Sequence, residues 1–364
     1  MSSPVHKGHT PPFRPDGHAT LIGSIPLADH DEALDLIFRY TPSIPLWPQL
    51  PGRREEGMLL QFNEGLPLLD DTGNKIHFAT EAERLEIEQL AFFEEYLTVS
   101  DNMAMLLDSR FRISPDHARG LYRLVERAQG TPDILAVKGQ ITGPFTLLTG
   151  VSDTENRAGY YNAAIREMIT KGLAMKAAWQ VTFLQRTGKP VIVFIDEPAL
   201  AGLGSNTFIS VADSDIIADQ SEMIAAIHCA GGLAGVHVCA NTNWPLLLGL
   251  DYDILNFDAY GFFDKLAACR EELDAFLKRG GIIAWGIVPT SNEKEILMET
   301  PDSLIARWEE QAGRLTTLER DISTLLRQSL ITPSCGTGAL TAPLASRVLE
   351  LTAAVSAGLR KKYL

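Results

Sequence analysis

Eight short apolar runs, separated by stretches with helical periodicity, constrain this chain more than any other feature. They are Ala19–Gly23, Ile44–Trp47, Ile134–Lys138, Val191–Ile195, Gly235–Val238, Ile254–Phe257, Ile282–Trp285 and Leu330–Thr332. Most are continuously apolar rather than alternating, the pattern of strands covered on both faces. The intervening stretches carry helix signals. Thr80-Glu81-Ala82-Glu83 reads as a capping box opening a helix to about Thr98. Ser114-Pro115 and Thr300-Pro301 read as N-cap plus N1 proline pairs, and Gly231-Gly232 stops a helix that begins near Ser214. Alternating strand and helix predicts a parallel α/β fold, and eight such units predict a (β/α)8 TIM barrel. No glycine-rich dinucleotide or phosphate loop follows any run, which disfavours a doubly wound open sheet. The stretch after the second run is long for one crossover, so an insertion is expected at about residues 50–111. The catalytic domain is then residues 19–364. Residues 1–18, with four prolines and three histidines (His6, His9, His18), read as a flexible tail.

Charge narrows the function. The 364 residues hold 32 Lys and Arg against 46 Asp and Glu, a net charge of −14. Such a surface repels nucleic acid and anionic membranes. No run approaches the ~18 apolar residues of a membrane helix. Residues 1–16 lack the apolar core of a secretion signal. Four cysteines are too few for a disulfide scaffold. A cytoplasmic protein with reduced thiols is expected.

In a barrel of this kind the chemistry sits at the C-terminal ends of the strands. Those ends hold Ser24, Gln140, Thr142-Gly143-Pro144, Asp196-Glu197, His237-Val238-Cys239, Asp258 and Cys335. Imidazole, thiolate and carboxylate are the donors of a tetrahedral zinc site, so His237, Cys239, Asp258 and Cys335 are the candidate metal ligands. The His-x-Cys spacing turns both side chains to one face of a strand. Taken alone, His-x-Cys is more often core packing. The third donor at a strand tip, Cys335, favours a metal. Cys229 and Cys269 fall late on helices and read as packing residues, and His228 as a partner of a helix C-terminus. Asp196 and Glu197 are candidate acid–base residues, and Asp196 can also bind an ammonium group. Adjacent positions on a strand face opposite ways, so one of the two is expected to meet substrate. Ser24 and Gln140 are further candidates for substrate contact. Trp47, Trp244 and Trp285 could wall a pocket, although aromatic residues at such positions are more often core.

Gly23-Ser24, Thr142-Gly143-Pro144, Ile195-Asp196-Glu197-Pro198-Ala199-Leu200, His237-x-Cys239 and Pro333-Ser334-Cys335-Gly336 occur in the order found in the catalytic half of cobalamin-independent methionine synthase. The chain resembles that family from Leu21 to its C-terminus. By the same resemblance it is similar to a wider group that includes uroporphyrinogen decarboxylase and the methylcorrinoid:thiol methyltransferases. The resemblance implies a zinc methyltransferase acting on a small thiol, typically homocysteine, to give methionine. His237, Cys239 and Cys335 match the family's zinc ligands. The family's acidic ligand is Glu, and Asp258 stands at that register. Ser24 matches a residue that contacts the amino acid, and Asp196 matches one that binds its ammonium group.

Three departures shape the expectation. No counterpart of the half that helps hold polyglutamylated methyltetrahydrofolate is expected. The family's proton-donating histidine falls near Ile287. Its second substrate acid, after strand two, is replaced within Met58-Leu59-Leu60-Gln61-Phe62, with Glu64 nearby. A folate nitrogen leaves only when protonated, whereas a methylcorrinoid releases its reduced cobalt without a proton. The expected methyl donor is therefore a methylcorrinoid, supplied by a corrinoid protein as partner. The competing readings are transfer to another small thiol, a non-catalytic corrinoid- or metal-binding barrel, and a uroporphyrinogen-type decarboxylase. The last needs a mouth rich in arginine, for which Arg53 and Arg54 are the clustered candidates.

Overall fold

The computed structural model describes residues 13–73, 75–203 and 208–364, so the first twelve residues of the expected tail, His6 and His9 among them, lie outside it. The chain forms a mixed α/β fold. A small antiparallel hairpin, β1 (Leu69–Asp71) and β2 (Ile76–Phe78), lies within residues 50–111. The main sheet has six parallel strands: β3 (Val137–Thr142), β4 (Val191–Asp196), β5 (Leu233–Val238), β6 (Ile254–Phe257), β7 (Ile282–Val288) and β8 (Ser329–Pro333). They pair in sequence order, β3 to β8. Every residue in them is buried, as strands covered on both faces require. Helices cover the sheet, among them Ala163–Leu184, Asp213–Cys229, Pro301–Leu315 and Ala342–Tyr363. No helix among the described residues is long and apolar enough to cross a membrane.

The first two apolar runs differ from expectation. Ala19–Gly23 and Ile44–Trp47 are not strands but make single bridges, Ala19 to Ile331 and Leu46 to Lys138. Pro45 removes one amide donor from the second run and Pro48 another just after it, which disfavours a continuous ladder there. Both segments are nonetheless bonded to the sheet and to each other. Thr20 N donates to Ile331 O (3.0 Å), Lys138 N to Pro45 O (2.9 Å), and Gln49 N to Gly23 O (3.1 Å). Docking begins before residue 19: Gly17 N donates to Ser329 O at 2.8 Å.

β3 also runs further than its apolar residues suggest. It extends through Lys138, Gln140 and Thr142 because each polar side chain donates to a backbone carbonyl. Lys138 Nζ donates to Ile22 O (2.7 Å), Gln140 Nε2 to Trp47 O (2.9 Å), and Thr142 Oγ1 to Met58 O (2.7 Å). The helix expected to start at a Thr80 capping box starts instead at Ala82, with Glu81 as N-cap and no side-chain cap. Ala79 N is tied to Leu68 O (2.8 Å), which commits the preceding backbone to the hairpin. Thr300 does form a capping box, with Ser303, behind Pro301. Gly231 ends the helix Asp213–Cys229 at φ +83°, a conformation that costs a glycine little.

Candidate metal centre

His237 is the penultimate residue of β5, Cys239 follows the strand, and Cys335 follows β8. Alternation along β5 sends the two side chains to one side. A donor atom from each of His237, Cys239 and Cys335 lies within 4.8 Å of the other two. The group opens onto a cavity of about 470 Å³. Ser24, Gln49, Glu56 and Asp196 supply polar walls, and Ile22, Met58 and Pro198 apolar ones.

The donors are electrostatically prepared. The Cys239 thiol is pulled down to about 4, first by the hydrogen bond from Cys335 and then by His237. Cys335 is pushed up by that same bond, with burial adding to it. It is therefore the proton holder of the pair. Burial works against a charged His237, yet the adjacent Cys239 and Asp196 outweigh it and leave its pKa above the usual value. The ring presents Nδ1 to Asn256 Oδ1, while Nε2 is buried without a protein partner. A thiolate, a second thiol and an orphaned imidazole nitrogen in one small space fit a metal ion, which would displace the remaining protons.

Asp258 does not join this group. It is the N-cap of the helix Ala259–Ala267, with Oδ1 accepting from Gly261 N at 2.8 Å. Its carboxyl is pushed up to about 6 by burial, against the pull of that amide and of Tyr260. The helix N-terminus therefore holds one oxygen of the carboxylate that the sequence assigned to the metal, and Cys239 and His237 still act on its charge.

The adjacent acids part as the alternation of a strand requires. Asp196 lines the cavity, with Oδ1 buried and unpartnered. Burial raises its carboxyl to about 6, although His237 and Lys138 pull it down. Glu197 points away and is not a cavity residue. Its carboxylate accepts from Phe145 N (3.1 Å), Thr146 N (2.8 Å), Thr146 Oγ1 (2.6 Å) and Gln220 Nε2 (2.7 Å). The Thr142-Gly143-Pro144 turn serves this carboxylate rather than a ligand. A Cβ on Gly143 would stand 2.2 Å from it.

Ser24 borders the cavity, and its Oγ accepts from Gly338 N at 3.2 Å. A Cβ on Gly336 would come within 2.1 Å of that Oγ, which explains the glycine after Cys335. Gln140 is a buried tie to Trp47 O and does not line the cavity. Trp47, Trp244 and Trp285 are core residues. His228 bonds to Asp253 at 2.8 Å, and Cys269 Sγ to Lys265 O at 3.6 Å. Arg53 and Arg54 pair with Glu56 and Asp71, so neither forms a basic mouth.

Glu56 and Asn256 are not among the residues the sequence singles out, and Gln49, at the end of the second apolar run, has no role assigned there. Glu56 is almost fully buried, and its carboxylate receives Leu50 N (2.8 Å) and faces His30 Nε2 (2.7 Å). Nothing local distinguishes it from a surface glutamate. Asn256 carried a signal, a lone amide inside the run Ile254-Leu255-Asn256-Phe257. With this geometry in hand, comparison with known proteins adds no identity: no family model matches the chain, and no curated protein matches it.

Proposed function

We propose that this chain is a zinc-dependent methyltransferase acting on a small amino-bearing thiol, homocysteine first among them. The reading is carried by one observation: the His237–Cys239–Cys335 group and the unpartnered Asp196 Oδ1 open onto the same cavity. Zinc suits one nitrogen and two sulfur donors, and three protein ligands leave a fourth position for a substrate. When bound, zinc supplies the Lewis acidity that deprotonates a thiol at neutral pH.

The chain's own residues do the rest. Asp196 receives the substrate ammonium, and Ser24 stands within reach of its polar end. Among the described residues no Lys or Arg lines the cavity, so its walls suit a cationic group rather than a polyanion. Ile22, Met58 and Pro198 give the cavity an apolar wall on which the methylene chain of such a thiol can pack. Its sulfur attacks the methyl carbon; an S–C bond forms, and the electron pair of the broken bond leaves with the donor. Ile287, fully buried in β7, offers no proton to a departing folate nitrogen. This supports a methylcorrinoid donor. The bonds of segments 17–25 and 44–49 to Ser329, Ile331, Lys138 and each other support a closed (β/α)8 barrel as the scaffold. Metal-binding thiols need a reducing compartment, which favours the cytoplasm.

The test is methyl transfer to homocysteine by the zinc-loaded protein. Methylcobalamin is expected to serve and methyltetrahydrofolate to fail. Efficient use of the folate would overturn the donor assignment. Bound metal without transfer from either donor would favour a metal-binding module.

A further inference from the structure

Asn256 lies in the middle of β6, wholly buried in an otherwise apolar run. A primary amide in such a place is costly unless its donors and acceptor are all used. In the sheet register it sits beside His237 of β5 and Ala284 of β7. Its Nδ2 donates to Ala284 O at 2.9 Å and reaches Thr332 Oγ1 of β8 at 2.8 Å. Those bonds use both amide hydrogens and fix which end is oxygen. The flipped amide would set Oδ1 against the Ala284 carbonyl. Oδ1 therefore faces His237 Nδ1, and that nitrogen must carry hydrogen.

We propose that Asn256 is the positioning residue of the His237–Cys239–Cys335 group, pinning a proton on His237 Nδ1 so that Nε2 remains the nitrogen presented to a metal. Its functional meaning rests on the metal-centre reading above, while the hydrogen-bond geometry does not. The choice of amide has a physical reason. A carboxylate would accept from Nδ1 equally well but would oppose the Ala284 carbonyl and bury a further negative charge beside two thiol groups. An aliphatic residue would let the ring choose either tautomer or rotate. The neutral amide, held on β7 and β8, fixes the ring and leaves the charge of the site to its cysteines.

The test uses the full chain with histidine labelled by 15N. In metal-free wild type, at a pH where the ring is neutral, His237 is expected with a protonated Nδ1 and a bare Nε2. Asn256→Leu should mix the tautomers and weaken Zn2+ binding about 10–100-fold, measured by chelator competition. Thr332→Val, which keeps the His237 contact and loosens the amide, should give a smaller loss. A wild-type proton on Nε2 would overturn the proposal, as would an Asn256→Leu protein with unchanged tautomer and zinc affinity. The wild-type spectrum decides the matter even if the leucine variant fails to fold. A wild type that holds no zinc would overturn the functional reading, and the tautomer would still decide this one.

Discussion

Asp196 and Glu197 are neighbours with opposite tasks, and the difference is set by which way each side chain leaves the end of β4. Asp196 keeps an oxygen without a partner at the cavity. Asp196→Asn should weaken homocysteine binding by at least tenfold, the worth of a charge-assisted hydrogen bond, while leaving zinc content unchanged. Calorimetric titration of the zinc-loaded variant measures this, and unchanged affinity would contradict the role. Glu197 is a structural carboxylate. Burial raises it from 4.5 to about 7 in spite of its four donors. Between those values the folded chain holds more protons than the unfolded one, so this group's contribution to stability falls as pH rises through the window. Glu197→Gln should flatten that slope. It should also cost about 1–3 kcal/mol, because the new amide opposes backbone N–H donors. Urea unfolding at several pH values reads both effects.

At the scale of elements, strand ends carry the site and short turns hold those ends apart at the right distance. The turn at Gly143 brings the N-terminus of helix Pro144–Gly150 onto Glu197, and a methyl group there has no room. Gly143→Ala should destabilise the protein by about 1–3 kcal/mol without changing the His237–Cys239–Cys335 group. Thermal unfolding beside zinc content separates the two. The six strands of the sheet were readable because a continuous apolar run can only be satisfied between two layers. The polar end of β3 was not, since Lys138, Gln140 and Thr142 are explained by partners distant in sequence. Asp258 is ambiguous for a related reason. The residue before a helix and the residue at a strand tip are one position in this fold, and here the capping role prevails.

At the scale of the whole molecule, the arrangement joins donors nearly one hundred residues apart in sequence. His237, Cys239 and Cys335 were readable together only because the order of strands predicts which tips converge. Glu56 and Asn256 were not, because their roles depend on His30, Leu50, Ala284 and Thr332, which no local pattern connects to them. The same arrangement makes the site separable from the core. Cys335 sits beyond β8 and contributes little packing, so Cys335→Ala should remove the metal while the sheet stays folded. The most direct measurement is therefore elemental analysis of the purified, untagged protein by mass spectrometry beside Cys335→Ala, with circular dichroism of both. The account predicts about one zinc per chain in the wild type, none in the variant, and superimposable spectra. A wild type that takes up no zinc even in the presence of homocysteine, or a variant that retains it, would contradict the account.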